Sequence, residues 1–398
     1  MSGALPGRRR IESVDVFRGL TMAVMVFVND VAGVTGLPWW TYHMPPGQDG
    51  MTYVDMVFPS FLFIVGMSMP LAIERRLEKG DSMLRLWSHI VARALSLIVL
   101  GIMLANQGQA DAALTGMRGG AWMAWFLVAA ILFWNVYPRT GPQALYKGLK
   151  VVGLAAMIGL FAIYRRSTPD GPAWLSFSYW EILGLIGRAY LAAAIVYIPL
   201  RRKRWAPFAL LAVFVALNAA ARAGWVPFLR QIPYWAWPFD AGAFPSLIMA
   251  GVACSAIFLD KRIAATLREK MLWAGGFALA LWVAGLALRP MGLTKLGATP
   301  SWCLWCSFTS VVIFMALYWI CDVKRRTKWA APLRPAGANT LLTYLLPDLW
   351  YGAIGFGAFG LGALTASGWP GAVKSALFTA FILGAAAVLT RLKVRLQL

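Results

Sequence analysis

Charge is scarce in this chain. Acidic residues are scarcest, with 16 Asp and Glu against 37 Lys and Arg, and charged residues of both signs make up 13% of 398 residues. That shortage excludes an ordinary soluble helical protein, whose helices carry a polar face. Histidine occurs twice, and cysteine four times, at Cys254, Cys303, Cys306 and Cys321. Cys303 and Cys306 have CxxC spacing, but no second pair and no histidine lies near them. A metal or redox motif is therefore not supported, and the four thiols read as buried apolar packing. No cleavable signal peptide is expected: Arg8-Arg9-Arg10 precedes an apolar run too long for a signal segment, with no small-residue cleavage site behind it. There is no internal repeat, which weighs against a transporter built from two related halves.

What the chain does have is apolar length. It is 60% hydrophobic, in runs of about 17 to 22 residues, the length at which a helix crosses a bilayer core. The runs fall near 14–37, 53–73, 88–105, 119–137, 148–164, 181–200, 205–222, 243–260, 271–289, 302–321, 338–353 and 372–390. The expected fold is an all-α polytopic membrane bundle of about 12 spans, ten at the fewest. Pro347 and Asp348 interrupt the eleventh run, so a broken or re-entrant helix is expected there. We read residues 1–398 as one integral domain. It has a cytoplasmic tail (1–12), an N-terminal half with the candidate site (13–200) and a C-terminal half (201–398).

The net charge of +21 invites a nucleic-acid reading, but its distribution argues otherwise. With the N-terminus inside, 27 of the basic residues fall in cytoplasmic segments and 8 in outer ones, with Arg18 and Arg188 near or within spans. This is the positive-inside pattern, with both termini cytoplasmic. The expected partner is a lipid bilayer, and no nucleic acid. Two outer connections are rich in aromatics: Trp174, Tyr179 and Trp180 in one, Trp225, Tyr234, Trp235 and Trp237 in the other. An interfacial belt explains them; a sugar-stacking platform is the sharper alternative.

The candidate chemistry lies near the first outer connection. His43 sits in the polar turn Trp39-Trp40-Thr41-Tyr42-His43. Asp15, Arg18, Asn29 and Asp30 precede it, and Asp55 follows at the start of the second span. Ionisable groups in membrane spans are costly and mark functional sites by default. Imidazole is the side chain suited to proton transfer near neutral pH. Asp15 and Arg18 are three residues apart, so they share a helix face and can pair. That pair is either structural or part of an anionic-cofactor site. Asn29 and Asp30 lie three to four turns further on, at the outer face. A short connection makes the first two helices neighbours, so Asn29, His43 and Asp55 can converge. A carboxylate-held histidine is an oriented general base, and an amide can donate to a developing oxyanion. These are the parts of an acyl transfer. His89, among Arg85, Trp87 and Arg93, reads as interfacial.

Ser13-Val14-Asp15-Val16-Phe17-Arg18-Gly19, followed by Met25-Val26-Phe27-Val28-Asn29, resembles the opening of the heparan-α-glucosaminide N-acetyltransferase family. The His43 turn and Gly50-Met51-Thr52-Tyr53-Val54-Asp55-Met56-Val57-Phe58-Pro59 resemble its next block. Weaker matches follow in order: Gly184 to Tyr190 with Arg188, Phe239-Asp240-Ala241-Gly242, Ala298-Thr299-Pro300-Ser301-Trp302 and Gly337-Ala338-Asn339-Thr340. The resemblance implies a membrane acetyltransferase that takes acetyl from cytosolic acetyl-CoA to the amino group of a glucosamine on the other side. It implies His43 as the catalytic histidine and Asn29 as the active-site asparagine, with no metal. Arg18, Arg93 and Arg188 are then candidates to pair the phosphates of acetyl-CoA, because guanidinium forks match phosphate oxygens. The spacing from Asn29 to His43 is longer than the family's. Two extra spans stand at 119–164, and no large extracytoplasmic domain is seen. The bacterial-looking short loops suggest an inner membrane, and a homodimer is left open. Two alternatives remain: a transporter of a sugar or anionic metabolite, and an O-acyltransferase of an envelope glycan.

Overall fold

The structure is a computed structural model that describes residues 11–232, 237–354 and 367–398. Arg8–Arg10, Tyr234 and Trp235 of the sequence reading lie outside the described residues. The chain folds into α1 (Glu12–Val31), α2 (Val54–Glu78), α3 (Met83–Asn106), the one-turn α4 (Ala112–Thr115), α5 (Gly119–Trp134) and α6 (Gln143–Ile163). A small antiparallel hairpin, β1 (Arg166–Thr168) and β2 (Gly171–Ala173), follows. Then come α7 (Glu181–Leu200), α8 (Ala206–Arg222), α9 (Ala243–Leu259), α10 (Leu267–Ala287), α11 (Pro300–Tyr318), the short α12 (Arg334–Ala338), α13 (Thr340–Ile354) and α14 (Gly368–Arg391). A long helix stands at each of the twelve places marked by an apolar run. Among the described residues seven are long and apolar enough to cross a membrane. The chain is an all-helical integral membrane protein.

Close helix contacts rest on small residues, which let backbones approach where lipid gives no hydrophobic drive to associate. α2 crosses α9 at a reciprocal pair: a Cβ on Gly66 would meet the Ile248 carbonyl oxygen, and one on Gly251 the Phe63 carbonyl oxygen. α7 packs on α3 by the same device, with Gly187 against the Ala94 carbonyl oxygen at 2.7 Å from its would-be Cβ. The segment Gly184 to Tyr190 is thus partly a packing signature. α1 begins on a borrowed cap. The Asp322 carboxylate accepts the backbone N–H groups of Glu12 and Ser13, both at 3.0 Å, which neutralises two of the unpaired donors at a helix start.

The eleventh run differs from expectation. α13 passes through Pro347 unbroken, and the interruption falls earlier, at Asn339. The cause is a side-chain clamp. Asn339 donates to the Thr390 hydroxyl (3.0 Å) and the Val394 carbonyl oxygen (2.8 Å), and accepts from the Leu396 N–H (3.1 Å). The chain leaves helical geometry to make those bonds, which tie the C-terminal segment down.

Alternate connections meet at the same end of the bundle. The 32–53 connection touches 288–299 through Asp49 and Arg289, and touches Gly368 through a 2.7 Å bond to the Thr35 carbonyl oxygen. The opposite end gathers Glu12, Asp322 and Arg334, with Asn135 against Arg395.

Gly251→Ala is expected to cost about 1–3 kcal/mol through overpacking and to lower the thermal midpoint in detergent. Gly275→Ala is the control, because a Cβ there meets nothing within 4 Å. Equal midpoints for the two variants would contradict the close-crossing account.

Candidate functional site

The site is built on the 32–53 connection. Pro38 starts a single 3-10 turn at Trp39–Thr41, and the Thr41 hydroxyl closes it on the Pro38 carbonyl oxygen at 2.7 Å. The Tyr42 hydroxyl donates to the Val34 carbonyl oxygen (2.6 Å) and accepts from the Leu37 N–H (3.0 Å). The Thr52 hydroxyl donates to the Tyr42 carbonyl oxygen at 2.7 Å. The turn before His43 is therefore folded on itself by side chains.

Asp55, in the first turn of α2, holds the rest. Its side chain is 1% exposed. One oxygen accepts from the Met44 N–H (3.1 Å), the Thr52 N–H (3.0 Å) and the Thr52 hydroxyl (3.4 Å). The other lies 2.7 Å from His43 Nδ1. An ionised carboxylate accepts only, so the bond assigns the ring proton to Nδ1 and leaves Nε2 as the ring's acceptor. The imidazole is 44% exposed, with its anchored edge inward.

A third group completes the cluster. Lys295 Nζ lies 3.2 Å from His43 Nε2 and 3.3 Å from Nδ1. Burial pushes this ammonium below the ordinary lysine range, against an opposing pull from Asp55. Lys295 sits in the connection between α10 and α11, which is latched to the His43 turn. The Leu293 N–H donates to Asp49 at 2.6 Å, the Gly50 N–H donates to the Leu293 carbonyl oxygen at 2.8 Å, and Arg289 pairs with Asp49 at 2.6 Å. The Leu293 N–H, then Arg289, holds the Asp49 carboxyl below its usual range.

The other sequence-derived residues fall in three places. Asn29 is exposed at the His43 end of α1, and among the described residues it makes no hydrogen bond to His43 or Asp55. Asp30 turns away from the imidazole: it pairs with Lys374 at 3.0 Å and accepts from the Tyr351 hydroxyl. Near the opposite end, Arg18 binds Asp15 (3.2 Å), the Ser68 hydroxyl (2.6 Å) and the Gly337 carbonyl oxygen (3.4 Å). The Arg93 guanidinium lies 5.2 Å from the Tyr190 ring centre. Arg188 is apart from Arg18. It is buried, pairs with Asp240 at 3.0 Å and lies over the Trp180 ring, in the half of the bundle toward His43. There it lines a cavity of about 580 Å³ with Asn218, Arg222, Gln231, Trp237 and Asp240. The cavity shares a wall with the Lys295 connection: Gly297 lines it, and Arg222 donates to the Met291 carbonyl oxygen at 3.1 Å.

Sequence reasoning counted Lys295 and Arg222 only as outer-loop cations. The signal for them was the pair of weaker matches. Phe239-Asp240-Ala241-Gly242 supplies the partner of Arg188, with Asp240 in a left-handed conformation (φ 52°). Ala298-Thr299-Pro300-Ser301-Trp302 closes the Lys295 connection: the Thr299 hydroxyl accepts from the Thr294 N–H at 3.1 Å, and Ser301 donates to the Gly292 carbonyl oxygen. Among the described residues no group of three or more His, Cys, Asp or Glu is placed to hold a metal.

The fold and site define a polytopic helical membrane protein with a carboxylate-oriented histidine at one mouth. The chain belongs to the family described as "Domain of unknown function (DUF5009)", whose model matches residues 10–239. It is similar to the heparan-alpha-glucosaminide N-acetyltransferase of Mus musculus, 34% identical over 138 residues, covering 32% of this chain and 20% of the relative. It is also similar to the protein of that name from Homo sapiens, 42% identical over 103 residues, covering 26% of this chain and 14% of the relative. The matches thus span no more than a fifth of these relatives' length.

The Asp49 latch sets a pH expectation. A carboxyl held below its usual range contributes stability that is present above the ordinary value and lost as pH falls through the lowered one. Amide hydrogen exchange in the 43–53 turn should stay slow down to about pH 4 and rise below it. Loosening already near neutral pH would show that Asp49 does not close the turn.

Proposed function

We propose that this protein transfers acetyl from acetyl-CoA to the amino group of an amino sugar, with His43 as the base at the outer mouth. The observation that carries the reading is the oriented imidazole, with Nδ1 on Asp55 and an Nε2 lone pair that meets only Lys295, in a chain similar to two proteins named as N-acetyltransferases of a glucosaminide. An ammonium acceptor first gives one proton to solvent, and the neutral amine must lose a second as it attacks the thioester. A histidine fixed through its other nitrogen is built to take it. His43 Nε2 removes a proton from the amine as its nitrogen bonds to the carbonyl carbon. The tetrahedral centre then collapses, the C–S bond breaks, and the proton passes to the CoA thiolate. The Asn29 amide, exposed at the same end of α1, is the candidate donor to the carbonyl oxygen.

In this reading all twelve long helices cross the membrane and the basic end is cytoplasmic, by the 27 to 8 division of Lys and Arg. Acetyl-CoA approaches that end, where Arg18 and Arg93 are candidates for its phosphates. The membrane is the bacterial inner membrane. The cavity beside the Lys295 connection suits the acceptor. Pockets for small molecules run to about 300–1,000 Å³. An indole face (Trp237), an amide (Asn218) and a guanidinium (Arg222) are what a sugar ring with hydroxyl groups needs. Arg188 then serves the acceptor side, held by Asp240.

Purified protein given acetyl-CoA and glucosamine is expected to release free CoA thiol. His43→Ala should lower the turnover by about 100-fold or more, measured well below its thermal midpoint, which is expected to fall because buried Asp55 loses a partner. Full turnover in His43→Ala would remove the base assignment. No thiol release by the wild type, with sugar accumulating in liposomes instead, would replace the enzyme reading with a transporter.

A further inference from the structure

We propose that Lys295 is a catalytic residue of this transfer, the cation that faces the carbonyl oxygen of the acetyl group as it is attacked. The inference rests on the acetyl-transfer reading above. A base that deprotonates an amine in attack must lie within about 3–3.5 Å of it, so the thioester carbonyl has to come to the Nε2 edge of His43. Lys295 Nζ already stands 3.2 Å from that nitrogen. Any carbonyl oxygen delivered there meets an ammonium within a few ångströms.

The environment of Lys295 separates it from a structural lysine. Structural cations at depth are paired with carboxylates. Among the described residues no carboxylate lies within ion-pair distance of Lys295, and its side-chain neighbour is the His43 ring, where Nε2 alone can accept from the ammonium. The negative charge that acts on it most is Asp55, bound to the Nδ1 that lies 3.3 Å from Nζ. The other titratable group acting on Lys295 is Cys306 of α11, and the same two connections carry the Asp49–Arg289 ion pair. Arg222 stands behind Gly297, with its Nη1 3.1 Å from where a Cβ there would sit. The lysine is also held in place. Its connection is latched at Asp49 and Gly50, and is shaped by left-handed residues at Gly292 (φ 91°) and Ala298 (φ 42°). A non-glycine residue in that region stores strain, which clusters at functional sites.

The step balances without a further reactant. The amine lone pair bonds to the carbonyl carbon, and the C=O pair moves to oxygen beside the ammonium. The carbonyl re-forms, the C–S bonding pair leaves with sulfur, and sulfur takes the proton that His43 removed. Lys295 keeps its own proton throughout. In a variant without that ammonium, a like charge beside the imidazolium is removed.

The test uses full-length wild type, Lys295→Met and Lys295→Arg. Thiol release with glucosamine is followed across pH, and the ring signals of labelled histidine are followed by NMR, where only His43 and His89 contribute. Lys295→Met is expected to lose about 100-fold or more in kcat, as when one oxyanion donor is removed. The acid limb of its pH profile, and the His43 ring titration, should both move to higher pH. Lys295→Arg, which keeps the charge, should recover part of the rate and leave the acid limb in place. Lys295→Met within about threefold of wild type would overturn the proposal. So would equal losses in both variants with an unmoved ring titration, the signature of a purely structural role. If the wild type releases no thiol with any amine, the transfer reading fails by itself, and the NMR titration still decides whether Lys295 acts on His43.

Discussion

Asp55 is the constraint on which the rest of the site depends. A carboxylate with almost no exposure is tolerable only if its lone pairs are filled. Here they are filled by Met44, Thr52 and His43. One charge therefore closes the end of the 32–53 connection, starts α2 and fixes the imidazole. The ring has one edge committed to the protein and one edge available. Without that carboxylate, His43 would be a half-exposed side chain on a surface turn, and neither its tautomer nor its direction would be set.

The second half of the chain supplies what the first cannot. The connection before α11 is pinned to Asp49 and Gly50. Its lysine reaches the imidazole on one side, and its Gly297 borders the Arg188 cavity on the other. The Nε2 edge of His43 thus lies where contributions from residues 39–55 and 289–301 meet. The family model ends at residue 239, short of the part that carries Lys295, so the site is wider than the matched segment. The close crossing of α2 on α9 makes the meeting reproducible, because it ties the helix that carries Asp55 into the body of the bundle.

Much of this was legible in the sequence, and for local reasons. Apolar run length marked the long helices, since a bilayer core imposes it. The twelve-residue spacing from His43 to Asp55 was readable as a pairing across one short turn. The Asp15–Arg18 pair followed from helical periodicity. What stayed hidden were contacts between distant segments. Lys295 and His43 are 252 residues apart, and nothing in an outer-loop lysine announces such a partner. Arg188 was grouped with Arg18 and Arg93 by chemistry alone, whereas Asp240 draws it toward the His43 end. Asp30, placed by the sequence at the outer face with Asn29, is held by Tyr351 and Lys374, partners from far along the chain. The expected break at Pro347 gave way to one at Asn339, because the amide clamp to the C-terminal segment outweighs local helix preference.

The central claim is that acetyl travels from the basic end to a base at the opposite mouth, and sidedness tests it most directly. The protein is reconstituted in sealed proteoliposomes with glucosamine inside and acetyl-CoA added outside, and orientation is scored by protease access to the 324–339 connection. The account predicts N-acetylglucosamine in the lumen of vesicles whose basic end faces out, with the CoA thiol released outside. Product that forms only when acetyl-CoA and sugar share one side of the membrane would contradict it.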